Sequence, residues 1–533
     1  MRLGRVCALA APIGLLSLFL GGIPAQAAET SFTKPVQLVG DRGGEPSIDT
    51  DRLGNVYVTG PQGIPAVVGG KPGVGVWVSH DDASSFAAAI LAGSYAGGGD
   101  SDVSVAPDDH SVFIADLEAA GAAICRSTDT GATFKSIGPA PDPGNCGGIV
   151  LGQTAPSNDR EWLTAGNNGV AYMTYHEFFS AQPLMFRTDN SGTDDFFAGP
   201  CGSIVTDLSI EKNVPQDITG GTLVSKPVLD AAGDIYVLFT TTTQEQNIEG
   251  QPKVSGTFSQ IYLAVSKDKC HSFTDHVVYE GDKLGANQVQ FGDIFNDLAI
   301  DGAGNLYAIG AGFISTTPNP ANTANLFLFS SKDGGGTWSG PHQVATGGAA
   351  NVLPAAIGGP KAGQLALGYF RTTNGKTDPN DTGGTWTYAT SESSNATSSD
   401  PAFRVADVTP GPTIFHTGDI CTSGLLCGTG LPGTGSDRSL ADFTSATIDQ
   451  HGCPIFTFAG NPDGKKKDSA HPNGGTFNFV TRQVSDCFPL PEKAATPTTG
   501  QVQGAAITVP NTGGGVPAGL GAGLALIGCV ALG

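Results

Sequence analysis

Charge is scarce in this 533-residue chain: Asp, Glu, Lys and Arg together make up 14% of it. A long coiled coil or a highly charged disordered chain would need far more. Basic residues are the scarcer sign, 27 Lys and Arg against 49 Asp and Glu, for a net charge of −22. So acidic a surface repels phosphate backbones, which argues against nucleic acid as a partner. No Cys-x-x-Cys pair occurs, so a zinc ribbon or thioredoxin-like site has no basis. Gly-x-Ser-x-Gly is also missing, and the nine histidines fall mostly in loops, which leaves a serine hydrolase unsupported. Glycine (77) and proline (35) are plentiful by contrast, about a fifth of the residues, while 39% are hydrophobic. That combination reads as many short strands joined by turns rather than as disorder.

The two ends read differently from the body. Residues 1–27 have the form of a secretory signal: Arg2 and Arg5, an apolar stretch over Val6–Leu20, and Ala25-Gln26-Ala27 as a small-x-small cleavage pattern. Residues 489–510 form a Pro- and Thr-rich spacer. Residues 509–533 run from Val509-Pro510-Asn511-Thr512-Gly513 into an apolar tail. This resembles a cell-wall sorting signal cleaved between Thr512 and Gly513, with Val509 in place of the usual Leu and no basic residues after Gly533. The chain is therefore expected to be secreted and held at the cell wall or membrane by its C-terminus. Eight cysteines remain in the body, an even number that suits disulfides in an exported protein. Proximity along the expected strands suggests Cys125–Cys146, Cys201–Cys270, Cys421–Cys427 and Cys453–Cys487.

The body, 29–488, repeats itself. An apolar run, then Asp-x-x-Gly-(Asn/Asp), then a run opening with an aromatic recurs at Asp51–Tyr57, Asp230–Tyr236 and Asp301–Tyr307, with looser copies elsewhere. This is the chemistry of a tight hairpin, in which Asp starts the turn and Gly and Asn tolerate positive φ. A second element, Ser-x-Asp-x-Gly-x-Thr-(Trp/Phe), follows the hairpins, best at Ser127–Phe134 and Ser331–Trp338 and altered at Ser79–Phe86 and Ser266–Phe273. These copies resemble the Asp-box, or bacterial neuraminidase repeat, of the sialidase superfamily. The resemblance implies a β-propeller. Hairpin plus Asp-box units number seven, with innermost strands beginning near Glu45, Asp100, Asp159, Lys226, Asn296, Asn351 and Asp442. The last unit lacks a fourth strand, and Ser31–Leu38 is an orphan that would complete it. The expectation is an all-β, seven-bladed β-propeller closed by an N-terminal strand, with a six-bladed ring as the alternative.

In such a ring the starts of the innermost strands converge on one channel mouth. The catalytic candidates gathered there are Asp102, Asp159, Arg160, Glu161, Tyr175 and Arg438, and the ligand-binding candidates are Arg42, Glu45, His176, Glu177, Asp297 and Asp442. Alternation along a strand would aim Asp159 and Glu161 one way and Arg160 the other. The sialidase resemblance implies an arginine triad for a substrate carboxylate, a Tyr–Glu nucleophile pair and an Asp acid/base. Glu45 stands near where the family's first arginine belongs, in Gly43-Gly44-Glu45-Pro46, and no arginine lies in a matching motif, so the triad does not carry over. The expected function is a surface propeller that binds or processes extracellular glycans. An active exo-sialidase or related glycoside hydrolase is one alternative, and a non-catalytic protein-binding propeller that engages a surface protein is another. No cofactor is required. Ca2+ suits the acidic mouth as an accessory, without assigned ligands, and the chain is expected to act as a monomer.

Overall fold

The computed structural model describes residues 30–491 apart from breaks, the longest at 62–73, 90–99, 138–147, 189–198 and 207–222. The signal segment, the spacer and the tail with Thr512 and Gly513 lie outside the described residues.

Seven antiparallel sheets form a seven-bladed β-propeller. Their innermost strands are Ser47–Thr50, Ser101–Val105, Asn158–Ala165, Leu223–Val224 with Val228–Leu229, Val289–Phe291 with Asp297–Ile300, Asn351–Gly358 and Ser445–Ile448. Each blade then steps outward through consecutive hairpins, as in Ser47–Thr50, Val56–Pro61, Val74–Ser79 and Ala87–Ala89 of blade 1. In blade 7 the outer strand is Val36–Gln37, which pairs antiparallel with Phe479 and Val480. The ring is therefore closed by its N-terminus. Leu38 follows this strand into the apolar body between blades 7 and 1, with Ile48, Val58, Trp77, Ile455 and Val480.

The repeats build the two kinds of turn expected of them. Asp51 accepts from Leu53 N, Asn55 N and Tyr57 OH, and Asp301 does the same with Ala303 N, Asn305 N and Tyr307 OH. In the outer turns Ser127, Ser266 and Ser331 each accept, at Oγ, the N–H four residues on. Asp129, Asp268 and Asp333 likewise hold the N–H and hydroxyl of Thr133, Ser272 and Thr337. These side chains satisfy turn backbone and leave no open chemistry. Disulfides join Cys201–Cys270, Cys421–Cys427 and Cys453–Cys487. Cys125 is also disulfide-bonded, while Cys146 lies outside the described residues.

Neighbouring innermost strands are tied by aspartates. Asp49 accepts Val105 N of blade 2 at 2.8 Å, Asp102 accepts Leu163 N of blade 3 at 2.6 Å, and Asp297 accepts Ala356 N of blade 6 at 2.7 Å. Each also takes the N–H of the residue that follows it. A carboxylate thus reaches across an interface where two sheet edges offer no ladder.

Candidate functional site

The channel mouth is shaped by interruptions of the innermost strands. In blade 3, Arg160 and Glu161 oppose the single residue Tyr175, and in blade 6 Leu353 and Pro354 oppose Tyr369. Blade 4 breaks at Ser225-Lys226-Pro227, and blade 5 between Phe291 and Asp297. Such bulges re-aim side chains and end regular pairing. They also place non-glycine residues in the left-handed region: Arg160 at φ 59° and Leu353 at φ 53°, with Glu45 (39°) and Ala441 (62°) just ahead of their strands. Strict alternation through Asp159–Glu161 is accordingly broken, because the register shifts between Asp159 and Trp162.

Arg160 is the hub. Its guanidinium grips Glu45 with two nitrogens, both at 2.8 Å, while Nε faces Asp100 at 3.1 Å and Nη2 reaches Asp442 at 2.5 Å. Arg438 holds Asp442 from the other side, through Nε at 2.8 Å and through Nη2. One network thus joins blades 1, 2, 3 and 7 across the opening. It rests on the Phe443 ring, 5.2 Å below the guanidinium carbon, which in turn packs on Trp162 at 4.8 Å. Arg160, Glu45 and Asp442 are 3%, 3% and 2% exposed. Burial raises the Glu45 carboxyl to about 7, against the pull of Arg160, and a hydrogen bond with Asp100 adds to the rise. Burial also raises Asp442 above the usual carboxylate range.

Deeper in the channel, Lys226 donates to Asp102 Oδ1 at 2.8 Å and to Val103 O at 2.7 Å. Asp102 also accepts from Ser47 Oγ, so both of its oxygens are committed to structure. Asp297 is pushed up to about 6 by burial, against its two backbone N–H donors and the charge of Lys226.

The structure therefore brings Glu45, Arg160, Arg438 and Asp442 together and sets Asp102 and Asp297 below them as inter-blade ties. Glu161 is buried beside Arg160 in the bulge. Tyr175 is fully buried and stacks on Phe186 at 4.9 Å, within the apolar body between blades 2 and 3. Asp159 and His176 are opposite each other in register, as are Asn158 and Glu177; only the backbones of Asp159, His176 and Glu177 are described, and Arg42 lies outside the described residues. Among the described residues no group of three or more His, Cys, Asp or Glu side chains is placed to hold a metal ion. The cations amid these carboxylates are Arg160, Arg438 and Lys226.

Residue typing alone missed the common level of this cluster. In every blade one residue donates its N–H across the inner hairpin, and in blades 1–3 it is Asp51, Ala106 and Gly166. Six residues ahead of these stand Glu45, Asp100 and Arg160. The sequence names all three as residues of the mouth, and counting back from the hairpins would have put them at one level.

No protein-family model matches the sequence, and no curated protein does. Several solved structures are similar in fold. An α-L-arabinofuranosidase of Fusarium graminearum is 10% identical, with 84% of this chain and 97% of that one covered and a TM-score of 0.41. A polysaccharide lyase, an ulvan lyase, is 10% identical, with 84% and 95% covered and a TM-score of 0.47. The NanB sialidase of Streptococcus pneumoniae is 10% identical, with 85% and 71% covered and a TM-score of 0.37.

Proposed function

We propose that this is an exported propeller, retained at the cell surface through its C-terminal segment, that binds extracellular glycan at the channel mouth. What supports export is the Arg2/Arg5–Ala25-Gln26-Ala27 leader pattern together with the disulfides of the body. What supports binding is a mouth where bulged strands from separate blades deliver polar side chains to one opening, since concave sites with convergent polar groups are where ligands bind. The carrying observation is that Arg160 and Arg438 are both committed to carboxylates. A sialidase needs guanidiniums free to grip a sugar carboxylate. The site is therefore read as a binder.

A second reading rests on Glu45. A carboxyl held near 7 is half protonated at neutral pH, which a glycosidase acid requires. One experiment separates the two. The secreted form is titrated calorimetrically with a panel of oligosaccharides and incubated with aryl glycosides, including a sialoside. Saturable binding without turnover is expected. Turnover that disappears in Glu45→Gln would establish the hydrolase instead, and neither binding nor turnover would remove the glycan reading.

A further inference from the structure

Among the described residues, Arg160, Arg438 and Lys226 at the mouth are held by carboxylates, while several uncharged groups there have no partner, Asn296 and Thr240 among them. Asn296 stands at the end of the blade 5 interruption, immediately ahead of Asp297, and is 4% exposed. Among the described residues neither atom of its carboxamide has a hydrogen-bond partner. Opposite it is Gly310, where a Cβ would collide with Asn296 Oδ1 and with the Phe291 ring, so the glycine makes room for the amide. Thr240 lies in blade 4, 2% exposed, and its hydroxyl is likewise unpartnered among the described residues. It stands opposite Leu223 and Ile261 in register, and Ile261 belongs with Phe291 to the apolar body between blades 4 and 5. Both open groups thus border one gap at its mouth end. A buried amide or hydroxyl without a partner is costly, and a native protein keeps one where something else supplies the bond.

The nearby charges among the described residues are already engaged. Lys226 is bound to Asp102 and Val103, and Asp297 to the N–H groups of Leu298 and Ala356. The geometry points to a subsite between blades 4 and 5 that takes an uncharged sugar, its hydroxyl or N-acyl groups read by the Asn296 carboxamide and the Thr240 hydroxyl. This rests on the glycan reading above and narrows it to neutral glycans. A planar amide presents a donor and an acceptor together, which matches neighbouring hydroxyls, and it offers no charge to hold a carboxylate.

Asn296→Leu tests the assignment, because it keeps the volume and removes the open valences. The wild type and the variant are titrated with cello- and N-acetylchito-oligosaccharides, and with sialyllactose and oligogalacturonate as acidic controls; thermal midpoints are measured without sugar. The expected result is neutral-sugar binding by the wild type, at least tenfold weaker in the variant, with a midpoint held or raised. Asn296→Ala should lose binding equally, which guards against a folding defect specific to leucine. Unchanged neutral-sugar affinity in a folded variant would overturn the subsite and assign the amide to internal water, leaving the glycan reading intact. Binding of the acidic sugars alone would also overturn it while sparing that reading. A wild type that binds no sugar would remove both.

Discussion

Arg160 offers five donors in a rigid fork, and three carboxylates from three other blades surround it. Removing one partner of a buried ionic network strands the others, a loss of about 3–5 kcal/mol. Arg160→Met should therefore lower the urea midpoint sharply, and Arg160→Lys should recover little because a point charge cannot meet three carboxylates in a plane. A variant that melts like the wild type would show that the network contributes nothing to stability. Glu45 adds a pH dependence. Its folded carboxyl titrates at about 7 and its unfolded one near 4.5, so between those values the folded state binds more protons. Stability from this group is then fully present below pH 4.5 and lost as pH rises through 7. Asp297, at about 6, and Asp442 shift in the same direction. The thermal midpoint should rise by a few degrees from pH 8 to pH 5.5, and the slope should flatten in Glu45→Gln. A midpoint that falls over that interval would contradict the assignment.

The innermost strands act as elements through their aspartate ties. Asp102 joins blade 2 to Ser47 of blade 1, Leu163 of blade 3 and Lys226 of blade 4. Asp102→Ala leaves the buried N–H of Leu163 without its acceptor and Lys226 with Val103 O in place of a counter-charge, at about 1–3 kcal/mol for the unsatisfied N–H. Amide exchange should accelerate first at Leu163 and its neighbours, and protection equal to the wild type there would show that the tie is dispensable. This element scale is also where the sequence was most and least legible. The hairpins could be read because Asp-x-x-Gly-Asn encodes its own turn locally, and the positions of the innermost strands followed from them. The bulges could not. Arg160 and Glu161 look like ordinary strand residues, and their displacement depends on Tyr175 across the hairpin and on carboxylates supplied by residues 45, 100 and 442. Alternation describes a strand whose pairing is uninterrupted, which is the condition the mouth violates. Asn296 was legible only as a strand start, since an unpartnered amide is a property of what surrounds it.

A ring of sheets has no edges only while its last sheet is complete. Blade 7 supplies three strands from the end of the body, and its fourth comes from the beginning, through Val36 and Gln37, Thr33 N to Arg482 O, and Leu38 N to Asn478 O. Cys453–Cys487 fastens the other end of the same blade, with Phe488 N bonded to Gly452 O. The two closures do different work. The disulfide restricts the unfolded chain within a 34-residue separation, which stabilises by about 3–4 kcal/mol without touching the blade edge. The N-terminal strand covers that edge and carries Leu38 into the body between blades 7 and 1. Cys453→Ser with Cys487→Ser should therefore lower the melting midpoint while leaving a monomer with one cooperative transition. A chain beginning at Val39 should instead bare Phe477–Arg482, lose cooperativity between blade 7 and the rest, and associate with increasing concentration in sedimentation velocity. Adding a peptide of residues 30–38 in trans should reverse the association, because it restores the missing strand. A truncated chain that stays monomeric and melts as the full body does would mean that the ring closes without its N-terminus.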